Sequence, residues 1–442
     1  DKKDERLMAF LHQEGENILR EYGHHPSFRM MALGNELWGD IDKMKEFVDD
    51  FRKIAPDKYY TFGSNYYLGY QGIKEGMDYF TTCRIGGEGW GKYNTHTRGS
   101  FSFADAYDGG MINHFHPNST MNFDEACDKA GIPIISHETG QFQTYPDYRE
   151  MKKYTGVLHP YNFEVFRRRL AAAGMLSQAD DFHKASGLWS VKLYKADIEM
   201  DLRTRNMAGF QLLDIQDYPG QGSAFVGILD AFMESKGITT PEEWRQWCSP
   251  VVPLLEMKKF CFEDGEKIQA KVKVANYGGS SLKGKKLKWH LAAENGLFSM
   301  DDGTFSTKDG EVRKNVSDLM AEDEGVLNIF SYDEGLVDVG ELNGVFHVQK
   351  PTKLLLTLNI EGTEARNSYE LWIYPKKALE KKGVIIAKDL NENVVKVLEN
   401  GGKVLWMPTA SSHFVAADDT LSQANNATPY TVGGLFQTDY WN

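Results

Sequence analysis

The chain has 442 residues, of which 41% are hydrophobic and 26% charged, and this ordinary globular composition argues against a disordered or fibrous protein. Lys and Arg total 50 against 63 Asp and Glu, so the formal net charge is −13 and offers no electrostatic surface for nucleic acid or an anionic membrane. A neutral substrate fits this balance best. The four cysteines form no CxxC pair, and we expect no structural metal and no cofactor.

The first part of the chain, residues 1–248, alternates helical and strand-like patterns. Helices are predicted over DERLMAFLHQEGENILREYG, IDKMKEFVDDFRKIAP, NFDEACDKA, NFEVFRRRLAAAG, residues 177–206 and SAFVGILDAFMES. Strands are predicted near 28–35, 59–64, 78–85, 132–137 and 209–214. This order favours a parallel sheet, in which the chemistry lies at the C-terminal ends of the strands.

Beyond about residue 248 the pattern changes to alternating strands separated by Gly and Asn turns. Segments such as EKIQAKVKVANYG, TKLLLTLNIEG and YELWIYP predict an antiparallel β-sandwich of immunoglobulin type over 249–376. Residues 377–442 contain a strand, a helix and a second strand, which indicates a partial α/β domain.

Two glutamates stand at the ends of apolar runs. Glu36 closes one run and Glu138 another, and loop-like residues follow each of them. Glycoside hydrolysis needs such a pair, because one carboxylic acid protonates the leaving oxygen while the other carboxylate attacks the anomeric carbon. The alternative is that both are surface or helix-capping glutamates.

Four segments resemble glycoside hydrolase family 2, the superfamily of β-galactosidases, β-glucuronidases and β-mannosidases. They are MALGNELWGD, ISHETGQF, GFQLLDIQDYPGQGSAFVGILDAFMESKG and RNSYELWIYP. The resemblance implies that residues 1–248 carry strands four to eight of a (β/α)8 TIM barrel, followed by an immunoglobulin-like β-sandwich and a partial α/β segment. It also implies that Glu36 is the acid/base, that Glu138 is the nucleophile, and that Asn35 binds the sugar 2-hydroxyl.

Further residues are candidates for binding the substrate. They are Trp38, Asn65, His116, Asp214 and Gln216. Trp38 could stack on a sugar ring or pack in the core, and the two polar residues after the last strand could bind hydroxyls or solvate a loop. His137 precedes the predicted nucleophile in a strand, so its side chain is expected to point away, to the exterior or a second shell.

The predicted function is a retaining exo-glycoside hydrolase that releases a terminal non-reducing sugar, with β-galactosidase ahead of β-glucuronidase and β-mannosidase. The alternatives are a non-catalytic carbohydrate-binding or scaffold protein with a degenerate barrel, and an α/β enzyme such as an amidohydrolase, which would need a metal cluster. The expected partners are a carbohydrate substrate and either missing N-terminal domains of the same protein or a second copy, with no nucleic acid and no membrane. A bacterial periplasmic or extracellular location is expected.

Overall fold

The computed structural model describes residues 4–64, 72–85, 95–99, 112, 116–220, 222–307, 310–330, 334–376 and 383–406. It is a multi-domain architecture dominated by β-sheet, with helices concentrated in the first half. The chain divides into two compact units, the first comprising Asp1–Tyr374 and the second beginning at Pro375.

Helices and parallel strands alternate in the first part of the larger unit. The strands are β1 (Met30–Ala32), β2 (Tyr59–Thr61), β3 (Phe80–Thr82), β4 (Ile134–Gly140) and β5 (Met207–Leu213). The helices are α1 (Glu5–Tyr22), α2 (Ile41–Ile54), α3 (Asp124–Ala130), α4 (Tyr161–Ala172), α5 (Ala179–Arg203) and the short α6 (Pro241–Trp244).

The five strands lie side by side in chain order and all run parallel. Strand β1 pairs with β2, and β3, β4 and β5 pair in turn. Parallel bridges from Ser64 to Asn35 and to Thr81 continue this order across the ends of β1, β2 and β3. The predicted parallel arrangement is therefore confirmed for the described strands, and it brings their C-terminal ends to one edge.

Helix α2 shows why this sequence folds against the sheet. Its N-cap Asp40 accepts hydrogen bonds from the first-turn amides, and its apolar residues recur at helical spacing. Val48 and Phe51 are buried against Phe62 and Phe80 of the sheet region. The buried face of α2 thus fixes the strands that lead to the site.

A β-sandwich follows, built from two five-stranded sheets. Its strands are β6 (Val251–Glu256), β7 (Cys261–Glu263), β8 (Lys267–Asn276), β9 (Lys286–Ala293), β10 (Phe298–Thr307), β11 (Gly310–Met320), β12 (Glu322–Asn328), β13 (Gly335–Val348), β14 (Thr352–Ile360) and β15 (Arg366–Tyr374). The sheet orders are β11-β10-β13-β8-β6 and β12-β9-β14-β15-β7. The pairs are antiparallel as predicted, except that β7 runs parallel to β15.

The core of the sandwich lies between its two sheets. Burial alternates along β14, as expected for a strand with one face on a core. Leu354, Leu356 and Leu358 of this strand join Trp289 and Val272 in one buried cluster.

In the second unit, β16 (Val384–Ala387), α7 (Glu392–Glu399) and β17 (Lys403–Trp406) form the predicted strand, helix and strand, with the two strands parallel. No helix within the described ranges is both long enough and apolar enough to cross a membrane.

The helix predicted over SAFVGILDAFMES, residues 223–235, is wrong. This segment folds as turns, in which Leu229 forms bridges with Gln216 and Ser235. The Asp230 carboxylate accepts hydrogen bonds from the amides of Phe232 and Glu234, so a side chain takes the amides that a helix would pair with carbonyls.

Candidate functional site

A β-bulge in β4 carries the predicted nucleophile. Ser136 pairs with Phe210 and Thr139 with Leu212, so the pairing advances by three residues along β4 but by only two along β5. The extra residue bends the strand and interrupts the alternation of side chains. Glu138 has a φ of +54°, which is rare for a residue other than glycine and is a form of local strain that clusters at functional sites.

His137 was predicted to point either to the exterior or to a second shell behind the site, and of these the exterior placement is wrong. Its side chain does not point away from the site, because its Nε2 lies 3.4 Å from Oε1 of Glu138 and 3.0 Å from Oδ1 of Asn35. Its Nδ1 lies 3.0 Å from Oε1 of Gln211 on β5. Consecutive residues of an ideal strand face opposite sides, whereas the bulge lets His137 and Glu138 share one.

Arg98 lies beneath the Glu138 carboxylate and is almost fully buried. Its Nη1 donates to the carbonyl oxygens of His137 and Glu138 at 2.9 and 2.7 Å and lies 3.5 Å from Oε2 of Glu138. Nε2 of Gln141 lies 3.4 Å from the same carboxylate oxygen. Burial acts to raise the pKa of Glu138, but the hydrogen bond from His137 and the charge of Arg98 outweigh it and lower this pKa below its ordinary value.

Glu36 follows the end of β1, where Asn35 bridges to Ser64. The backbone amide of Glu36 donates to the Ser64 carbonyl oxygen at 2.9 Å, and the φ of Glu36 is +50°. Burial raises the pKa of Glu36, and the negative charge of Glu138 raises it further, while His137 and Arg98 act in the opposite direction. The two glutamates therefore lie close enough to interact electrostatically, and their pKa values move in opposite directions.

Asn35 joins the two strand ends. Its Oδ1 accepts a hydrogen bond from Oγ of Ser64 at 2.8 Å and contacts Nε2 of His137 at 3.0 Å. The structure thus brings together Asn35, Glu36 and Glu138, which the sequence analysis had placed in one site.

The remaining predicted binding residues have the following surroundings. Trp38 is 64% exposed, and His116 is exposed and accepts from Nδ2 of Asn118 through its backbone carbonyl. Asp214 is half-buried, with its Oδ1 accepting from the next backbone amide. Gln216 forms a backbone bridge in the turn segment, and Asn65 lies outside the described residues. Their roles stay predictions.

Sequence reasoning missed Arg98, Ser64, Gln141 and Gln211. Ser64 and Gln211 lay within predicted strands 59–64 and 209–214, so their place near the strand ends was available as a signal. Gln141 lies three residues after the predicted nucleophile, whereas nothing in the sequence around Arg98 marks it. Within the ranges that the structure describes, no three His, Cys, Asp or Glu side chains form a group that could hold a metal ion.

Comparison with known proteins gives limited similarity. The family model described as Domain of unknown function (DUF8488) matches residues 322–375. No curated protein sequence matches the chain.

Several solved structures of glycosidases are similar in fold at low scores. A β-glucuronidase from Parabacteroides merdae is 9% identical with a TM-score of 0.31, covering 86% of this chain and 40% of its own. β-Glucuronidase 3 from Bacteroides uniformis is 12% identical with a TM-score of 0.31, covering 86% and 41%. A proposed β-galactosidase from Bacteroides fragilis is 11% identical with a TM-score of 0.31, covering 84% and 45%. The chain thus spans less than half the length of these proteins.

Proposed function

We propose that this chain carries the two catalytic carboxylates of a retaining exo-glycoside hydrolase, with Glu138 as nucleophile and Glu36 as acid/base. The observation that supports this is the opposite direction of their pKa values within one site. A nucleophile must be ionised and a general acid must start protonated, so the same reaction asks for both shifts.

Each residue has a defined part in the two proposed steps. Glu138 attacks the anomeric carbon while Glu36 gives its proton to the leaving oxygen, so one C–O bond forms and the glycosidic C–O bond breaks. Glu36, now ionised, then takes a proton from water, which attacks the anomeric carbon and releases Glu138. A retaining pair is expected to hold its carboxyl groups about 5 to 5.5 Å apart.

In this proposal the parallel strands are strands four to eight of a (β/α)8 barrel, and the sandwich is an immunoglobulin-like domain. The activity belongs to the complete protein that carries this chain. We propose a β-galactoside as first substrate, with β-mannosides and β-glucuronides next, since a net charge of −13 mildly disfavours an anionic sugar. A bacterial periplasmic or extracellular setting fits a polysaccharide-degrading enzyme of this kind.

The test is covalent labelling of the complete protein. Matched 2-deoxy-2-fluoro galactosyl, mannosyl and glucuronyl fluorides, which trap a glycosyl-enzyme, are expected to add one sugar mass to Glu138, located by peptide mass spectrometry. Glu138→Gln should abolish both labelling and turnover, because a neutral amide cannot form the intermediate. Glu150→Gln is the control, as Glu150 is also a largely inaccessible glutamate but contacts Tyr154 instead of the site. Labelling at Asp214 or Asp217 would overturn the assignment.

A non-catalytic carbohydrate-binding protein is the second candidate. The exposed indole of Trp38 beside Glu36 in sequence favours it, because sugar rings stack on such surfaces. Sugar binding measured by calorimetry, without labelling or turnover, would select this alternative.

A further inference from the structure

The side-chain amide of Asn35 is held by its oxygen. Oγ of Ser64 donates to Oδ1 at 2.8 Å, and Nε2 of His137 lies 3.0 Å from the same atom. An amide oxygen has two lone pairs, so these two contacts fill its acceptor capacity. Nδ2 of Asn35 makes no hydrogen bond within the part of the chain that the structure describes.

Both groups that hold this oxygen are themselves fixed. The backbone of Ser64 donates to the Gly34 carbonyl and accepts from the Glu36 amide, so the serine is tied to the strand end on either side of Asn35. The ring of His137 is 7% exposed, and its other nitrogen contacts Oε1 of Gln211. The ring is thus held at both nitrogens, between β1 and β5.

We propose that Ser64 and His137 are positioning residues that lock the Asn35 amide so that its NH2 group, and not its oxygen, meets the substrate. This rests on the proposed function. The resemblance to family 2 implies that Asn35 binds the sugar 2-hydroxyl, and Ser64 and His137 additionally set which end of its amide faces that group.

The same ring couples this contact to the nucleophile. Nε2 of His137 lies 3.4 Å from Oε1 of Glu138 as well as 3.0 Å from Asn35. Loss of the ring is therefore expected to affect the 2-hydroxyl contact together with the glycosylation step, in kcat more than in KM.

The test compares kcat/KM for a 4-nitrophenyl glycoside and its 2-deoxy analogue, using whichever of the galactoside, mannoside and glucuronide the complete protein cleaves. Ser64→Ala and His137→Ala should each reduce the preference for the 2-hydroxyl substrate about tenfold, the effect of one hydrogen bond lost in the transition state. His137→Gln should restore much of it, since Nε2 of glutamine can donate where the ring nitrogen did.

Two control variants remove matched groups elsewhere. Ser190→Ala deletes a buried hydroxyl that donates to the Phe142 carbonyl, and His183→Gln replaces a buried ring held by the Tyr145 and Lys236 carbonyls. Both should lower the melting temperature without changing the 2-hydroxyl preference.

The outcomes separate this inference from the function on which it rests. If the wild-type protein cleaves none of the glycosides and no fluorosugar labels it, the proposed function fails. If the wild-type protein is active but Ser64→Ala and His137→Ala slow both substrates equally, the proposed function stands and the positioning role is overturned.

Discussion

At the scale of single residues, the site contains two glutamates whose carboxyl groups have different surroundings and opposite pKa shifts. Glu138 has Arg98 and His137 against it, whereas Glu36 faces the charge of Glu138 and is partly desolvated. Glu36, Glu138 and Gln141 are three of the five non-glycine residues with positive φ in the described chain. Strain and charge are therefore concentrated at the same place, as expected for a functional site.

Removing the negative charge of Glu138 should change the pKa of Glu36. In Glu138→Gln the negative charge that helps to raise the pKa of Glu36 is gone, so this pKa should fall. The Glu36 carboxyl can be followed by 13C NMR titration against the wild type, with Glu150→Gln as control. An unchanged Glu36 titration in Glu138→Gln would contradict the placement of both groups in one site.

The two shifts also set the pH dependence of the proposed activity. Turnover should rise as Glu138 ionises, at a pH lowered by Arg98 and His137, and should fall as Glu36 loses its proton, at a pH raised by burial and Glu138. In Glu36→Gln the alkaline fall should disappear for a substrate whose leaving group needs no proton, as measured with a dinitrophenyl glycoside. Persistence of the same alkaline limb would assign it to another group.

At the scale of elements, the order of helices and strands was predictable but their local irregularities were not. The apolar runs located β1 and β4 but not their ends, since β1 stops at Ala32, before Asn35, and β4 continues through Glu138 to Gly140. The bulge in β4 could not be predicted from the sequence, since it exists only in the register between β4 and β5. The direction of the His137 side chain depends on this bulge, so it could not be predicted either. The apolar spacing of residues 223–235 resembled a helix, but a Cβ at Gly227 would lie 2.1 Å from the Gln216 carbonyl carbon, so this segment is fixed by tertiary contact.

Gly140, which ends β4 directly after the bulge, should tolerate no side chain. Its φ is +104°, and a Cβ would lie 2.0 Å from Cε1 of the buried Tyr194. We expect Gly140→Ala to reduce the free energy of unfolding by about 2–4 kcal/mol through overpacking and backbone strain. Gly209→Ala in β5 is the matched control, because a Cβ there meets nothing within 4 Å, and it should stay within about 1 kcal/mol of the wild type. Urea unfolding measures both, and equal effects would contradict the strained geometry of this strand end.

At the scale of the whole larger unit, a buried polar network joins the parallel-strand part to the sandwich. Glu199 of α5 is paired with Lys195 and Arg203 of the same helix, and Asn367 and Tyr369 of β15 donate to it at 2.8 and 3.0 Å. Burial acts to raise the pKa of Glu199, but the two cations and their hydrogen bonds lower it, so the group is held ionised. Sequence patterns placed α5 and β15 correctly, but they could not reveal that charged residues of the helix face the sandwich, since this depends on packing between distant segments.

The same two elements offer a less buried counterpart, which allows burial to be tested separately from charge. Glu370 of β15 pairs with Lys192 of α5 and with Lys353 of β14, but its side chain is 27% exposed, against 3% for Glu199. Removing one partner from a buried network leaves the remaining charges of Lys195 and Arg203 desolvated, so Glu199→Ala should cost about 3–5 kcal/mol of unfolding free energy. Glu370→Ala breaks two ion pairs that solvent reaches and should cost about 1 kcal/mol. Urea unfolding at low and high salt measures both, with salt weakening only the Glu370 contribution. Because the helix and strand are the same in both variants, a cost for Glu199→Ala no larger than that for Glu370→Ala would mean that this network does not hold the sandwich to the helix.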